Sequence, residues 1–310
     1  MSIVSGTGWL PDPPDSRDYV PETASVEKIL KVSKPVLKAL REAEAPLPAS
    51  IDLEPFFPPI VNQGSLNSCT AATASALLGY LECKAFGKAI DPSLMFLYKI
   101  ERNLLHQTGD TGAFLRTAMQ ALRVFGVPPD EYWPNDPALL DVEPAPFLYA
   151  YADNYKATSY YRLDETGIAP DALLNRVKMH LAASLPSMFG LWLFDSVSQA
   201  AGNGGRVPFP LHGDMQTNQH ALVAVGYDDS EPVLNFNPET GQFMTTTGAL
   251  KVRNSWGTSW GVGGYGWLPY AYVTSGLTRD WWVLVKADYL DTHQFGPNTA
   301  PERIRPSARS

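Results

Sequence analysis

Two cysteines in 310 residues are too few for a disulfide framework. On a helix running from Cys69, Cys83 would lie about 21 Å away at 1.5 Å per residue, too far to bridge. Both are therefore expected as free thiols, which suits a reducing compartment. Positive charge is also in deficit, with 24 Lys and Arg against 32 Asp and Glu and a formal net charge of −8. Without a net basic field, a general nucleic-acid or membrane-surface binder is excluded. No uninterrupted apolar run is long enough to span a bilayer. The opening MSIVSGTGWLPDPPDS has neither the charged n-region nor the apolar core of a signal peptide. A cytoplasmic location is expected, with export by a signal-independent route left open.

Proline and glycine are plentiful, at 27 and 24 residues, alongside 14 Tyr and 8 Trp. That mixture predicts a loop-rich body with aromatic-lined surfaces. Residues 1–46 read as an arm. GWLPDPPDSRDY is extended, because each residue before a proline is pushed out of the helical region. SVEKILKVSKPVLKALREAEAP carries Val26, Ile29, Leu30, Val36, Leu37 and Leu40 at helical spacing, interrupted by Pro35, with Lys28, Lys31, Lys34, Lys38 and Arg41 making a basic surface.

Helices are expected at 69–86, with Ser68 as N-cap and Gly87 as stop, and at 93–105, 112–125 and 170–184. After residue 186 the character changes. SMFGLWLF, HALVAVGYDD, GALKVRNSW, YGWLPYAYV and RDWWVLVKADYL read as strands with Gly-rich turns. Helices first and strands second predict a segregated α+β fold. Its helical lobe would cover about 60–150 and its β lobe about 155–290, with a cleft between them. The tail 291–310 has little to pack and is expected to be disordered.

The chemistry-bearing candidates lie at the junction of these halves. In VNQGSLNSCT, Cys69 opens a helix, where the N-terminal dipole favours thiolate. The alternative is a small buried residue starting a core helix, and Cys83, deep in the same run, is read that way. Of His106, His180, His212, His220 and His293, only His220 leads an apolar strand, HALVAVGYDD, directly after a polar loop. In VRNSWGTSWGVGGYGWLPY, Asn254 can accept from one imidazole nitrogen and leave the other for a thiol. Trp256 would shield that bond from water.

These three segments, in this order, resemble the nucleophile, histidine and Asn-Ser-Trp-Gly segments of papain-family cysteine peptidases. The likeness spans roughly residues 47 to 290. It implies a two-lobe fold, a helical lobe and an antiparallel β-barrel-like lobe with the active-site cleft between. It further implies Cys69 as nucleophile, His220 as ion-pair partner and general acid/base, and Asn254 as its orienting partner. Gln63, from NQG, would donate to the oxyanion beside the Cys69 N–H. TGDTGAFLRTAMQALRVFGV resembles the family edge that pairs with substrate backbone, placing Gly112 beside the peptide. Gln219 and Trp256 would flank the cleft, and Met188 and Leu268 are candidates for the floor of the specificity pocket.

The departures are specific. Leu66 stands where the family carries a disulfide-forming cysteine, and Thr70 where it carries an aromatic. His220 and Asn254 follow Cys69 by 151 and 185 residues, against about 130–150 in the family. The excess over the Asn254 side is taken up by DDSEPVLNFNPETGQFMTTTG, read as a lengthened strand-loop-strand excursion.

The resemblance implies a cysteine endopeptidase acting on peptide or protein substrates through a thioester, with no cofactor and no metal, as a monomer. The same thioester could serve a transpeptidase or acyltransferase, and a dead scaffold could serve as a peptide-binding module. Residues 1–46 stand where family members carry a pro-segment. They are read either as an inhibitory segment lying across the cleft or as a permanent structural arm.

Overall fold

The computed structural model describes residues 6–20, 46–236, 240–241 and 243–289. The basic half of the arm and the C-terminal tail lie outside the described residues.

The central helix is α1 (Cys69–Phe86). Its run of Ala, Thr and Ser is buried on nearly every side, so it is a core helix rather than an amphipathic surface one. Small side chains let its neighbours approach closely. It stops where expected: Gly87 takes the left-handed conformation, φ 73, and its N–H returns to the Cys83 carbonyl at 2.8 Å. Next comes α2 (Leu94–Leu104), whose cap Ser93 accepts from the Phe96 N–H at 3.0 Å. The helix expected at 112–125 begins later. Ala113–Phe114 first form a two-residue strand, β3, and α3 covers Leu115–Val124. A short α4 (Pro146–Ala152) follows, and α5 (Pro170–Ala182) matches the expected fourth helix.

The second half builds one antiparallel sheet. In path order its strands are β4 (Tyr155–Arg162), β9 (Thr278–Tyr289), β5 (Ser187–Phe194), β6 (Gln216–Phe236), β7 (Phe243–Arg253) and β8 (Tyr265–Pro269). A further short strand, β2 (Ser50–Asp52), pairs with β6. β4 and β8 end the path without bonding to each other, so the sheet stays open and the barrel-like expectation is corrected. The α3 helix packs against β4. YGWLPYAYV also divides: only Tyr265–Pro269 is strand, and Tyr270–Thr274 turns into a helix, α6, with Pro269 as its cap. The excursion between β6 and β7 is a continuation of the same hairpin, paired from Pro232↔Thr247 to Phe236↔Phe243.

Period-2 alternation sends the sheet's side chains into two cores. Met188, Ala221, Val223 and Trp282 join the helical side with Cys69, Leu77, Phe96 and Leu115. Phe189, Leu191, Leu222 and Trp281 face the other way, against Leu173 and Val177 of α5. There Phe189 and Trp281 stack with ring centroids 4.1 Å apart. Phe189→Ala should therefore lower stability by about 3–5 kcal/mol, read from chemical denaturation. A loss under about 1 kcal/mol would show that this stack does not hold the second core.

Candidate active site

Cys69 is the first residue of α1 and is wholly buried. The Ser68 side chain makes no capping bond, so the α1 N-terminus keeps its backbone donors for other partners. The Cys69 N–H points at the carbonyl of Thr7, 3.4 Å away. The backbone amides of Trp9 and of Ala221, the residue after His220, lie near enough to favour the charged form of its sulfur. Thus the start of the helix meets β6 at the thiol.

His220 is buried, and its Nε2 lies 2.9 Å from Asn254 Oδ1. Asn254 stands just past the end of β7, and its Oδ1 also accepts from the Ser255 N–H at 2.7 Å. With that oxygen as the acceptor, Nε2 carries the proton and Nδ1 is left bare. Nδ1 has no hydrogen-bond partner in this state. Trp256 stacks on the imidazole, centroids 4.6 Å apart and planes 23° apart, and sends its Nε1–H to the Gly6 carbonyl at 2.8 Å.

Gln63 completes the group. Its Oε1 accepts from the Ser255 hydroxyl, which fixes the amide so that Nε2 donates to Leu66 O at 2.8 Å and to Thr7 O at 3.3 Å. Two donors, one from the α1 N-terminus and one from Gln63, therefore converge on a single carbonyl oxygen. That carbonyl belongs to the arm.

The arm threads the space between the halves. Gly6 N–H bonds Gly64 O at 2.8 Å, and Gly8 N–H reaches Gln219 O at 3.3 Å. Gly8 O accepts from the Ala113 N–H at 2.9 Å, and β1 (Trp9–Leu10) pairs with β3 in parallel. Gly112 permits this approach: at φ 73 its missing Cβ would stand 2.3 Å from Gly8 O. Trp9 is then swallowed. Its indole lies flat on Gly190, where a Cβ would sit 2.0 Å from the ring, and it meets Trp192 edge-on at 5.3 Å. Its Nε1–H donates to Asp280 Oδ2 at 3.0 Å.

Similarity to known proteins agrees with this geometry. A family model described as papain family cysteine protease matches residues 206–280. An uncharacterized peptidase C1-like protein of Acanthamoeba polyphaga mimivirus is 30% identical over 243 residues, covering 77% of this chain and 73% of that protein. The chain belongs to the papain family of cysteine proteases. Its fold is similar to that of xylellain, a cysteine protease from Xylella fastidiosa, at 28% identity and a TM-score of 0.67, over 93% of this chain and 97% of that one. A procathepsin B from Trypanosoma congolense shares the fold at 15% identity and a TM-score of 0.58, over 91% and 86% of the two chains.

Sequence reasoning pointed to Cys69, His220, Asn254, Gln63, Gln219, Gly112 and Trp256. Cys69 and Gln63 meet the arm at Thr7, Gln219 and Gly112 at Gly8, and Trp256 at Gly6, while His220 and Asn254 join the group through Trp256 and each other. Met188 lies in the first core, near Thr73. Leu268 packs in the second core across from Leu250 and lies apart from this group. His180 bonds Tyr161 and the Arg176 carbonyl inside the second core. Thr7, Trp9, Gly190 and Asp280 were missed. One signal was present: a glycine in the middle of an apolar strand, SMFGLWLF, marks a close approach. Thr70, at the family's aromatic position, is not bare either, since its hydroxyl bonds the buried Glu101 carboxyl at 2.6 Å.

Burial overrides the helix dipole at the thiol of this peptidase. Removal from water pushes Cys69 up to about 12, although backbone N–H groups pull the other way. Burial likewise lowers His220 to about 4, with Asn254 opposing. With the arm in place, burial favours the neutral thiol and the neutral imidazole, and the imidazole Nδ1 is not hydrogen-bonded to the sulfur. Admitting water should reverse both shifts. Gly190→Val drives a side chain into the Trp9 ring and should lift the arm. Alkylation of Cys69 by a neutral thiol reagent at pH 7 should then accelerate at least about tenfold, since only thiolate reacts. Equal rates in the variant and the parent chain would contradict this account of the thiol.

Proposed function

We propose that the protein is a cysteine endopeptidase whose cleft is closed by its own residues 6–12. The observation that carries this reading is the Thr7 carbonyl, held by the Cys69 N–H and the Gln63 amide directly beside the thiol. A substrate carbonyl in that place would have its carbon within reach of the sulfur and its oxygen within reach of two preset donors. The present bonds of 3.3–3.4 Å are those of a neutral carbonyl. Charge developing on the oxygen would draw them toward about 2.7–3.1 Å.

The reaction follows from these positions. Once water enters, the proton of Cys69 passes to His220 Nδ1, while Asn254 holds the ring by the opposite nitrogen. The thiolate attacks the carbonyl carbon, and the pair of electrons moves onto oxygen. When the tetrahedral centre collapses, the peptide C–N bond breaks and the imidazolium gives its proton to the leaving amine. Water then attacks the thioester, with His220 taking its proton and returning it to sulfur. Trp256 keeps the His220–Asn254 bond dry.

The pocket filled by Trp9 supports a preference in the substrate too. A floor without a side chain at Gly190, a wall at Trp192 and an acceptor at Asp280 suit a large flat side chain carrying an N–H donor. The arm itself resembles a guest more than a permanent wall, because it meets the cleft through backbone bonds at successive residues, as an added strand does.

Four measurements test the reading. Cys69→Ala should abolish hydrolysis of an internally quenched peptide, and residual turnover at the parent rate would contradict it. Gln63→Ala should lower turnover about 10²- to 10³-fold while leaving the fold intact. N-terminal sequencing of the parent chain beside Cys69→Ala should show the arm cut in the parent alone as activity rises. An arm that stays intact while activity is already maximal would rule out a zymogen removed by cleavage. Ligated products in the presence of added amine would move the activity to acyl transfer.

A further inference from the structure

Between the arm and the body, carboxyl groups outnumber the cations that face them. The arm contributes Asp12 and Asp18, the loop after β4 contributes Asp164, and β9 contributes Asp280. Facing them are Arg116 of α3 and Arg162 of β4. Arg116 pairs with Asp18 at 2.6 Å. Arg162 divides itself among Asp18, Asp164 and Asp280 at 2.9, 3.1 and 3.2 Å. The other nearby cations are engaged elsewhere: Arg279 lies 5.5 Å over the Trp192 ring, Arg17 pairs with Asp15 on the exposed side, and Arg176 pairs with Glu165. Four carboxylates against two guanidiniums leave an excess of negative charge at a partly dry seam.

The excess falls on Asp12, which has no ion pair, and on Asp280, which holds only the longest of the three Arg162 contacts. Asp18 has both guanidiniums, and Asp164 adds to its share of Arg162 the N–H groups of Asp280 and Trp281 at 2.7 and 3.0 Å. Asp12, by contrast, meets only neutral donors, the Arg116 backbone N–H at 3.2 Å and the Trp282 indole at 2.9 Å. Asp280 accepts the Trp9 indole and the Asp12 N–H on the same oxygen, at 3.0 and 2.7 Å. These bonds are what fasten Trp9 in its pocket. A cavity of about 660 Å³, lined by Asp12, Asp18, Arg162, Asp164 and Asp280 among others, adjoins the pair and gives protons a route in.

We propose that Asp12 and Asp280 form an acid latch: protonated, they hold the arm over the cleft, and ionised, they repel each other and release it as the solution turns from acid to mildly alkaline. The inference rests on the reading that the arm closes the peptidase cleft. Burial pushes Asp12 up to about 6 in the docked state, against the nearby Arg116 charge. Burial and then the Asp12 charge push Asp280 up to about 7. On release both carboxyls meet water and return toward the ordinary carboxylate range. The docked state therefore binds more protons than the released one. Its advantage is complete below about pH 4 and is lost as pH rises through about 6 to 7.

The test uses the full chain carrying Cys69→Ala, which cannot cut its own arm, so the outcome does not depend on peptidase activity. Hydrogen exchange of residues 6–20 is followed at pH 5 and pH 8 and corrected for intrinsic rates. Protection is expected to fall at least about tenfold between the two, since one pKa unit is a factor of ten in the docking equilibrium. Asp12→Asn and Asp280→Asn, added singly, mimic the protonated carboxyl and should each keep the arm protected at pH 8. Protection that is flat or stronger in alkali would overturn the latch. So would either asparagine variant losing protection at both pH values, because a neutral isostere must hold if the proton is what holds.

Discussion

One carbonyl oxygen organises this molecule. Thr7 O sits where the α1 N-terminus and the Gln63 amide both donate, and everything around it exists to keep those donors aimed at that point. Ser255 locks the Gln63 amide, and Asn254 locks the His220 ring. Both locking residues come from the short stretch after β7. Gln63 lies before α1 and His220 on β6, so one turn of chain steadies groups from each half. The constraint is geometric, and the chemistry follows from it.

On the proposed reading, the same oxygen would explain a site at rest. An arm lying in the cleft would exclude the water that a thiolate and an imidazolium require. Trp9 seals one side and the Gly6–Trp256 bond the other. The two reactive groups are left neutral by the burial that accompanies substrate-like contact. On that reading, occupancy and silence are one event.

Much of this was legible in the chain. Cys69, His220 and Asn254 each announce themselves by context, namely a small-residue helix start, a histidine leading an apolar strand, and an asparagine beside Trp and Gly. The strands SMFGLWLF and RDWWVLVKADYL fall where apolar runs put them. What was not legible depends on contacts distant in sequence. β4 carries polar residues at an edge, interrupted by register shifts, and so lacks a clean strand pattern. The open sheet could not be told from a closed one, because closure depends on whether β4 and β8 meet. Asp280 reads as one more residue of the strand RDWWVLVKADYL until the Trp9 indole, 271 positions earlier, is found bonded to it.

The central claim is that the docked arm keeps His220 uncharged, with its proton on the nitrogen facing Asn254. Nitrogen-15 shifts of the His220 ring in the full-length chain, recorded near pH 6.5, test it directly. A neutral ring with the proton on Nε2 is predicted, changing toward imidazolium only when the arm is displaced. A doubly protonated ring in the docked chain would contradict the account.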